Sequence, residues 1–383
     1  MKRILSLLLS LTLVFTLLGG VSAFAEETTD AALTVYTQTG EFGPKTAARS
    51  YTAAELKALA ETKADGYGYQ YNKSGWQAVV ATEYVTLDAL LADAGVTFAE
   101  GNVLRFTCTD GEYTKFAPTY KDIAEGKYFF ADEKTSEEVP AALAICWNQG
   151  ALADGTVADL AKTAKDSGSL RFVCGTTEAD YTSEKAAGKR MPSGVIAITV
   201  ATESKTFSDV DAKAWYRDAV TYCSDNALFE GVGEGNFAPE SKMSMAALVT
   251  VLYRVAGSTT DNSGETWYAK QQAWSAENGI VAAADFNADA NVSRAAFITM
   301  FYKTLSLDAK YDTAVTEEMR TALKAATDFA AITEADADAI AWAVSVGLIK
   351  GTDGSALTIN PAAEINRAEV CTMLQRYYTG LAK

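Results

Sequence analysis

Two arginines with matching neighbours are the residues best suited to bind a ligand. They occur in Ser293-Arg-Ala-Ala296 and in Asn366-Arg-Ala-Glu369. Ser and Asn are preferred N-cap residues, so Arg294 and Arg367 are predicted at the first position of a helix. The positive end of the helix dipole disfavours a cation there, whereas an arginine beside free backbone N–H groups suits a bound carboxylate. The alternative is that each arginine pairs with a neighbouring acid or lies solvated.

The residue types that are missing exclude most enzymatic mechanisms. The 383 residues include no histidine, which excludes Ser-His-Asp and Cys-His catalysis, the HExxH zinc site and every histidine-ligated metal. No pair of acids stands out, but carboxylates alone suffice for glycoside hydrolysis. An enzyme of that kind remains an alternative, with these candidates: Asp110, Glu112 and Asp122.

The cysteines do not form a recognisable framework. They are Cys108, Cys146, Cys174, Cys223 and Cys371. Their number is odd and no CxxC pair occurs, which fits poorly with disulfide bonding in an exported chain. Their apolar neighbours indicate that they are small buried hydrophobic residues.

Both arginines belong to a pattern that occurs three times, over residues 207–257, 266–306 and 326–379. Each segment is predicted to form a helix, a glycine-containing loop and a second helix, with apolar residues at helical spacing behind the N-cap. The segments are unequal. Met245 stands where the other two have arginine, and Ala335 stands where the first two have Trp215 and Trp267.

The spacing of these segments, with the two arginine-containing tetrapeptides, resembles the S-layer homology family, whose hallmark is a TRAE-type tetrapeptide. The resemblance implies an all-α, pseudo-threefold bundle of three repeats on a Gram-positive-type cell. It implies non-covalent binding of pyruvylated secondary cell-wall polysaccharide in grooves between the repeats. Trp215 and Trp267 either stack on a sugar face or pack in the helices. The ligand-binding residues are therefore expected to be Arg294, Arg367, Ser293, Asn366, Trp215 and Trp267.

The N-terminal half, residues 28–200, has a different pattern and is predicted to be an α+β domain with a mixed sheet and short helices. Thr52 and Glu55 form a capping-box pattern, and Thr86 is predicted to cap a second helix. Val103 to Cys108 alternates as a strand does. Residues 201–206 are predicted to link this domain to the repeats.

The order of these N-terminal elements resembles the molybdopterin-binding fold of the sulfite oxidase class. The matching pieces are Tyr51–Leu56, Val85–Leu91 with Ala94-Gly95, Asp110–Tyr113, Leu170–Val173 and Val195–Val200. The family's metal-ligating cysteine would precede the helix that Thr86 caps, but residues 64–85 contain no cysteine. We therefore expect no cofactor and a displayed binding or structural module. An oxidoreductase or a carbohydrate-active enzyme is the alternative.

The first residues predict export. Lys2 and Arg3 precede an apolar run that ends near Leu18, and Ala23-Phe-Ala25 follows. This order is typical of a signal peptide, residues 1–25. The run is shorter than the ~20 apolar residues of a spanning helix, which argues against the alternative of a membrane anchor.

The composition limits the partners of the exported chain. The formal charge of −16 disfavours nucleic acid and anionic lipid. The predicted location is secreted, at the cell wall or S-layer, without membrane attachment after cleavage. The predicted partners are the wall polysaccharide and, for the N-terminal module, other surface proteins.

Overall fold

The computed structural model describes residues 31–73, 75–131, 136–184, 188–259, 265–349 and 356–380. The predicted signal peptide lies outside these residues. Within the described parts of the chain, no helix is long and apolar enough to cross a membrane.

The N-terminal half is built mainly from strands, most of them paired in two larger sheets. They are β1 Ala31–Gln38, β2 Lys45–Thr52, β3 Glu61–Asn72, β4 Trp76–Thr86, β5 Asn102–Cys108, β6 Gly111–Tyr113, β7 Tyr128–Phe130, β8 Ser136–Glu138, β9 Ala142–Ala151, β10 Lys165–Val173 and β11 Val195–Thr202. The first sheet has the order β2-β1-β11-β5-β6, and the second has the order β10-β9-β4-β3. β1 and β11 run parallel while the other pairs are antiparallel, so the predicted mixed sheet is confirmed. β7 and β8 form a separate pair.

Five short helices connect these strands within the described parts of this half. They are α1 Ala53–Leu59, α2 Leu87–Asp93, α3 Tyr120–Glu125, α4 Val157–Ala161 and α5 Glu178–Thr182, with a 3-10 turn at Gly188–Arg190. The predicted caps are present. Thr52 and Glu55 form the reciprocal hydrogen bonds of a capping box, and the Thr86 hydroxyl accepts from the backbone N–H of Ala89.

The main core of this half lies between the two sheets and under α1 and α2. Leu33 and Phe106 from the first sheet pack with Leu143 and Phe172 from the second. A second cluster covers the other face of the second sheet and contains Tyr69 among other aromatic residues. Of the tyrosines in β3, Tyr69 and Tyr71 are buried and therefore act as core residues.

The C-terminal half is helical. Its elements are α6 Arg217–Asp225, α7 Met245–Val255, α8 Ala269–Glu277, α9 Arg294–Leu305, α10 Glu317–Leu323, α11 Glu334–Ser345 and α12 Arg367–Gly380, with a 3-10 turn at Phe329–Ala331. Arg294 and Arg367 are the first helical residues, as predicted. Trp215 precedes α6, the first helix of repeat one, and its side chain is exposed.

The helices pair between the predicted repeats. α8 packs on α7, and α11 packs on α9. Each contact joins the first helix of one predicted repeat to the second helix of the predicted repeat before it. In the same way α6, from the first repeat, packs on α12 from the last repeat, where the Cys223 thiol lies 3.7 Å from the carbonyl oxygen of Cys371.

The chain divides into two compact units. One contains Met243–Glu364, and the other joins the strands to α6 and α12. This second unit extends past the linker predicted at residues 201–206, where residues 201 and 202 are still part of β11. The boundary of compact structure therefore does not coincide with the change of sequence pattern.

A buried carboxylate joins α6 to the strands within that unit. Asp225 is 6% exposed. One of its oxygens accepts hydrogen bonds from the backbone N–H groups of Glu41 and Phe42, at 2.7 and 3.0 Å. The same oxygen accepts from the Ser204 hydroxyl at 2.8 Å. Gly40 has a φ of +62°, and a Cβ there would overlap the Asp225 carboxylate, so only glycine fits this close approach.

All five cysteines are free thiols. Four are buried, as predicted, and Cys146 differs because it is half-buried. Burial raises the pKa of the Cys174 thiol to about 12. Burial, with the hydrogen bond to Glu83, raises the pKa of Cys146 to about 11. Both thiols are therefore protonated, and poor nucleophiles, at neutral pH.

Candidate functional site

The starts of α7, α9 and α12 share one hydrogen-bonding scheme. The Ser244 and Ser293 hydroxyls accept from the third backbone N–H of α7 and α9. The side-chain oxygen of Asn366 accepts from the N–H of Glu369, whose carboxylate accepts in return from the N–H of Asn366. The predicted N-caps Ser293 and Asn366 are therefore present, Ser244 caps α7 in the same way, and Asn366 and Glu369 form a capping box.

The first two N–H groups of each helix donate to loop carbonyls. In α9, Arg294 and Ala295 donate to Ala363 and Pro361 at 2.8 and 3.0 Å, and in α12 Arg367 donates to Ser241 at 3.0 Å. The remaining donors and acceptors are Met245 to Ala290, Ala246 to Ala288 and Ala368 to Pro239. The prediction of arginines beside free N–H groups is therefore wrong, because loop carbonyls satisfy the helix ends. Any carboxylate bound here must contact the guanidinium groups themselves.

The Arg367 side chain holds a loop of the first repeat. Its Nε donates to the carbonyl oxygen of Phe237, and its Nη2 donates to that of Glu230, both at 2.8 Å. The guanidinium carbon also lies 5.1 and 4.6 Å from the ring centroids of Phe229 and Phe237, within cation–π range. Arg367 is half-buried. It thus has a structural role in addition to any contact with a ligand.

An aspartate that the sequence analysis did not single out positions the same loop. The Asp209 carboxylate accepts from the N–H groups of Phe237 and Ala238 at 2.8 and 2.7 Å. Burial alone would raise the pKa of Asp209, but these donors, helped by Arg367, lower it. Asp328 bonds Ile359 and Asn360 in the same way in the third repeat. Asp209 and Asp328 occupy similar positions before the loops that they bind, and this recurrence in the sequence could have identified them.

The two predicted tryptophans present their rings to solvent. Trp215 precedes α6 and is 66% exposed, and Trp267 precedes α8 and is 49% exposed. Each indole makes a T-shaped contact with the ring of the following tyrosine, with centroids 5.3 and 5.2 Å apart. An exposed indole can stack on the apolar face of a sugar. The alternative, that these residues pack in the helix interior, is wrong.

The surroundings of α12 are rich in acids. Asn366 Nδ2 donates to Glu240 at 3.1 Å. The pKa of Tyr216 is raised, first by burial and then by Glu240, Asp209 and Asp211. Glu240 thus acts both on Tyr216, the residue after Trp215, and on Asn366 at the start of α12. Within the described parts of the chain, no group of three or more Cys, Asp and Glu residues is placed to hold a metal ion.

Comparison with known proteins identifies the class. The S-layer homology domain family matches residues 206–244, which include Trp215, α6 and the loop held by Arg367. The protein therefore contains an S-layer homology domain. Such domains bind cell-wall polysaccharide and place their proteins at the cell surface. No curated protein matches the chain.

Proposed function

We propose that this exported protein is held non-covalently at the cell wall by its helical repeats and displays its N-terminal half as a binding or structural module. The polymer is a pyruvylated secondary cell-wall polysaccharide, bound between three repeats that form a pseudo-threefold bundle. The observation that carries the proposal is the pair of solvent-exposed tryptophans at equivalent positions, one of them inside the matched S-layer homology domain.

Sedimentation with purified wall fragments tests the anchoring. The protein should pellet with the wall and be released by urea, because no covalent bond holds it. Trp215→Ala and Trp267→Ala should each weaken binding by about 2 kcal/mol, the usual loss for a central aromatic contact. Leu307→Ala is the matched control, since Leu307 is 46% exposed and lies apart from both tryptophans in sequence. Binding of both tryptophan variants at the wild-type level would contradict the proposal.

The polymer's carboxylate is assigned to Arg294 and Arg367, whose helices begin at Ser293 and Asn366. Arg294→Ala and Arg367→Ala should each weaken binding by about 1.5–3 kcal/mol, and changes at Met245 should have little effect. Because Arg367 also holds Glu230 and Phe237, its variant needs a thermal melt beside the binding assay. The effect of Arg294→Ala should vanish on wall polymer from which pyruvate has been removed. An equal loss on both polymers would exclude this assignment.

For the N-terminal half we propose a module without a cofactor. β4, the strand before α2, contains no cysteine, and Cys108 lies inside the core, 2% exposed. Neither β4 nor Cys108 therefore offers a thiol at the ligand position that the sulfite oxidase resemblance implies. Elemental analysis of the protein from its native host should find no molybdenum, whereas one equivalent per chain would show that the module is an oxidoreductase.

A further inference from the structure

The N-terminal half contains a cavity of about 460 Å³, a size suited to a small organic molecule. Residues of α1, β10 and β11 supply most of its lining. The wall is largely apolar, and its larger apolar side chains are Leu56, Ile145, Leu170, Val195 and Ile196. Ile196 is 44% exposed, so the cavity has an apolar rim that is open to solvent.

An ion pair lines one side of this cavity. Lys57 Nζ lies 2.7 Å from an Asp166 oxygen, and the second Asp166 oxygen accepts from the N–H of Gly168 at 2.8 Å. The two side chains are 48% and 36% exposed. Exposed ion pairs add little stability, and Asp166 keeps its backbone donor when Lys57 leaves. Lys57 can therefore move aside without stranding a buried charge.

A second carboxylate acts on the same ammonium. Neighbouring strands place Glu83 opposite Cys146, and Cys146 opposite Asp166. The Cys146 thiol donates to Glu83 at 2.8 Å. The pKa of Lys57 is raised, first by Asp166 and more weakly by Glu83. One cation thus lies near two acids, and the position that Lys57 Nζ occupies favours an ammonium group.

We propose that this cavity binds a small apolar molecule with one primary amine, whose ammonium replaces that of Lys57 on Asp166. The apolar body then fills the cavity. A ligand carboxylate that paired with Lys57 would face both Asp166 and Glu83, so charge complementarity selects the amine. The proposal is independent of wall anchoring, and loss of this ligand leaves sedimentation with the wall unchanged.

Equilibrium binding of three matched probes to the full mature chain tests the ligand class. Phenylpropylamine, phenylpropionate and phenylpropanol share one apolar body and differ in charge. The amine should bind at least about tenfold more tightly than the other two, as expected for one added charge-assisted hydrogen bond. Tighter binding of the carboxylate or the alcohol, or no binding of any probe, would overturn the proposal.

Three variants at exposed positions locate the binding. Asp166→Asn should weaken amine binding at least about tenfold, while Lys57→Met should strengthen it by removing the competing ammonium. Ala53→Trp, at the start of α1, should block all three probes. Asp159→Asn and Lys162→Met are the controls, because Asp159 and Lys162 form a similar ion pair at 2.8 Å outside the cavity lining. Unchanged amine binding in Asp166→Asn or in Ala53→Trp would show that the probe binds elsewhere.

Discussion

The first helices of the first two predicted repeats, α6 and α8, have the same length and the same flanking residues, but they bury different side chains. Both are nine residues long and follow a Trp-Tyr pair. Both end at an asparagine whose Nδ2 donates to a carbonyl four residues earlier, at 2.8 Å from Asn226 and 2.9 Å from Asn278. The repeat therefore determines how each helix begins and ends.

The helices differ where they meet other parts of the chain. Asp225 at the end of α6 is buried and bonded to the β-rich half, whereas Glu277 at the same position of α8 is exposed. In its interior α8 buries Gln271, where α6 has Ala219. α6 thus forms hydrogen bonds with the N-terminal half through Asp225. α8 instead buries the polar side chain of Gln271 at a position where α6 has alanine.

The largest expected effect is the loss of the Asp225 contacts. Asp225→Ala should lower the free energy of unfolding by about 2–3 kcal/mol, because the Phe42 N–H and the Ser204 hydroxyl lose their acceptor, while the Glu41 N–H keeps the Ser204 oxygen. Urea unfolding monitored by tryptophan fluorescence measures the change. Glu277→Ala is the matched control and should stay within about 0.5 kcal/mol of wild type, as exposed positions do. Equal effects of the two changes would show that the hydrogen bonds of Asp225 add no stability.

Gln271 should show the opposite sign. Its amide nitrogen and oxygen have no hydrogen-bond partner among the described residues, and the side chain is 0% exposed. Gln271→Ala, which restores the residue found at position 219, should raise the free energy of unfolding by about 1–2 kcal/mol through removal of unsatisfied polar atoms. Chemical unfolding measures this change in the free energy of unfolding. Gln272→Ala, at the neighbouring half-exposed position, is the control. Destabilisation by Gln271→Ala would show that the amide is satisfied in solution.

The smallest effect concerns the turn after each helix. Ala227 has a φ of +54°, and Gly279 in the second repeat has +67°. A side chain in this left-handed conformation costs about 1–2 kcal/mol. Ala227→Gly should therefore raise the free energy of unfolding by about 1 kcal/mol, and Gly279→Ala should lower it by a similar amount. Thermal melts of both variants measure these changes. Shifts of the same sign in both variants would contradict this reading of the turn.

The local features of the fold could be predicted from the sequence. The N-caps Ser244, Ser293 and Asn366 depend on residues within one helical turn, so their identity was enough. The same holds for the arginines at the first helical positions and for the strand that ends at Cys108. The mixed sheet followed from short segments in the same way, although its strand order did not.

The environment of each candidate residue depended on tertiary structure. Carbonyls from distant loops satisfy the N–H groups beside Arg294 and Arg367, and Phe237 and Glu230 accept from the Arg367 side chain. The equal spacing of Trp215 and Trp267 predicted shared positions, but only the fold showed both rings exposed.

The sequence by itself determined the N-caps of α9 and α12 and excluded histidine chemistry, because these follow from residue identity and short-range spacing. Tertiary structure decided which helix of one repeat pairs with which helix of another, and that Asp225 binds a loop 184 residues earlier. Such contacts depend on surfaces that meet only after folding. A hydrogen bond between residues far apart in the sequence produces no periodic pattern from which it could be predicted.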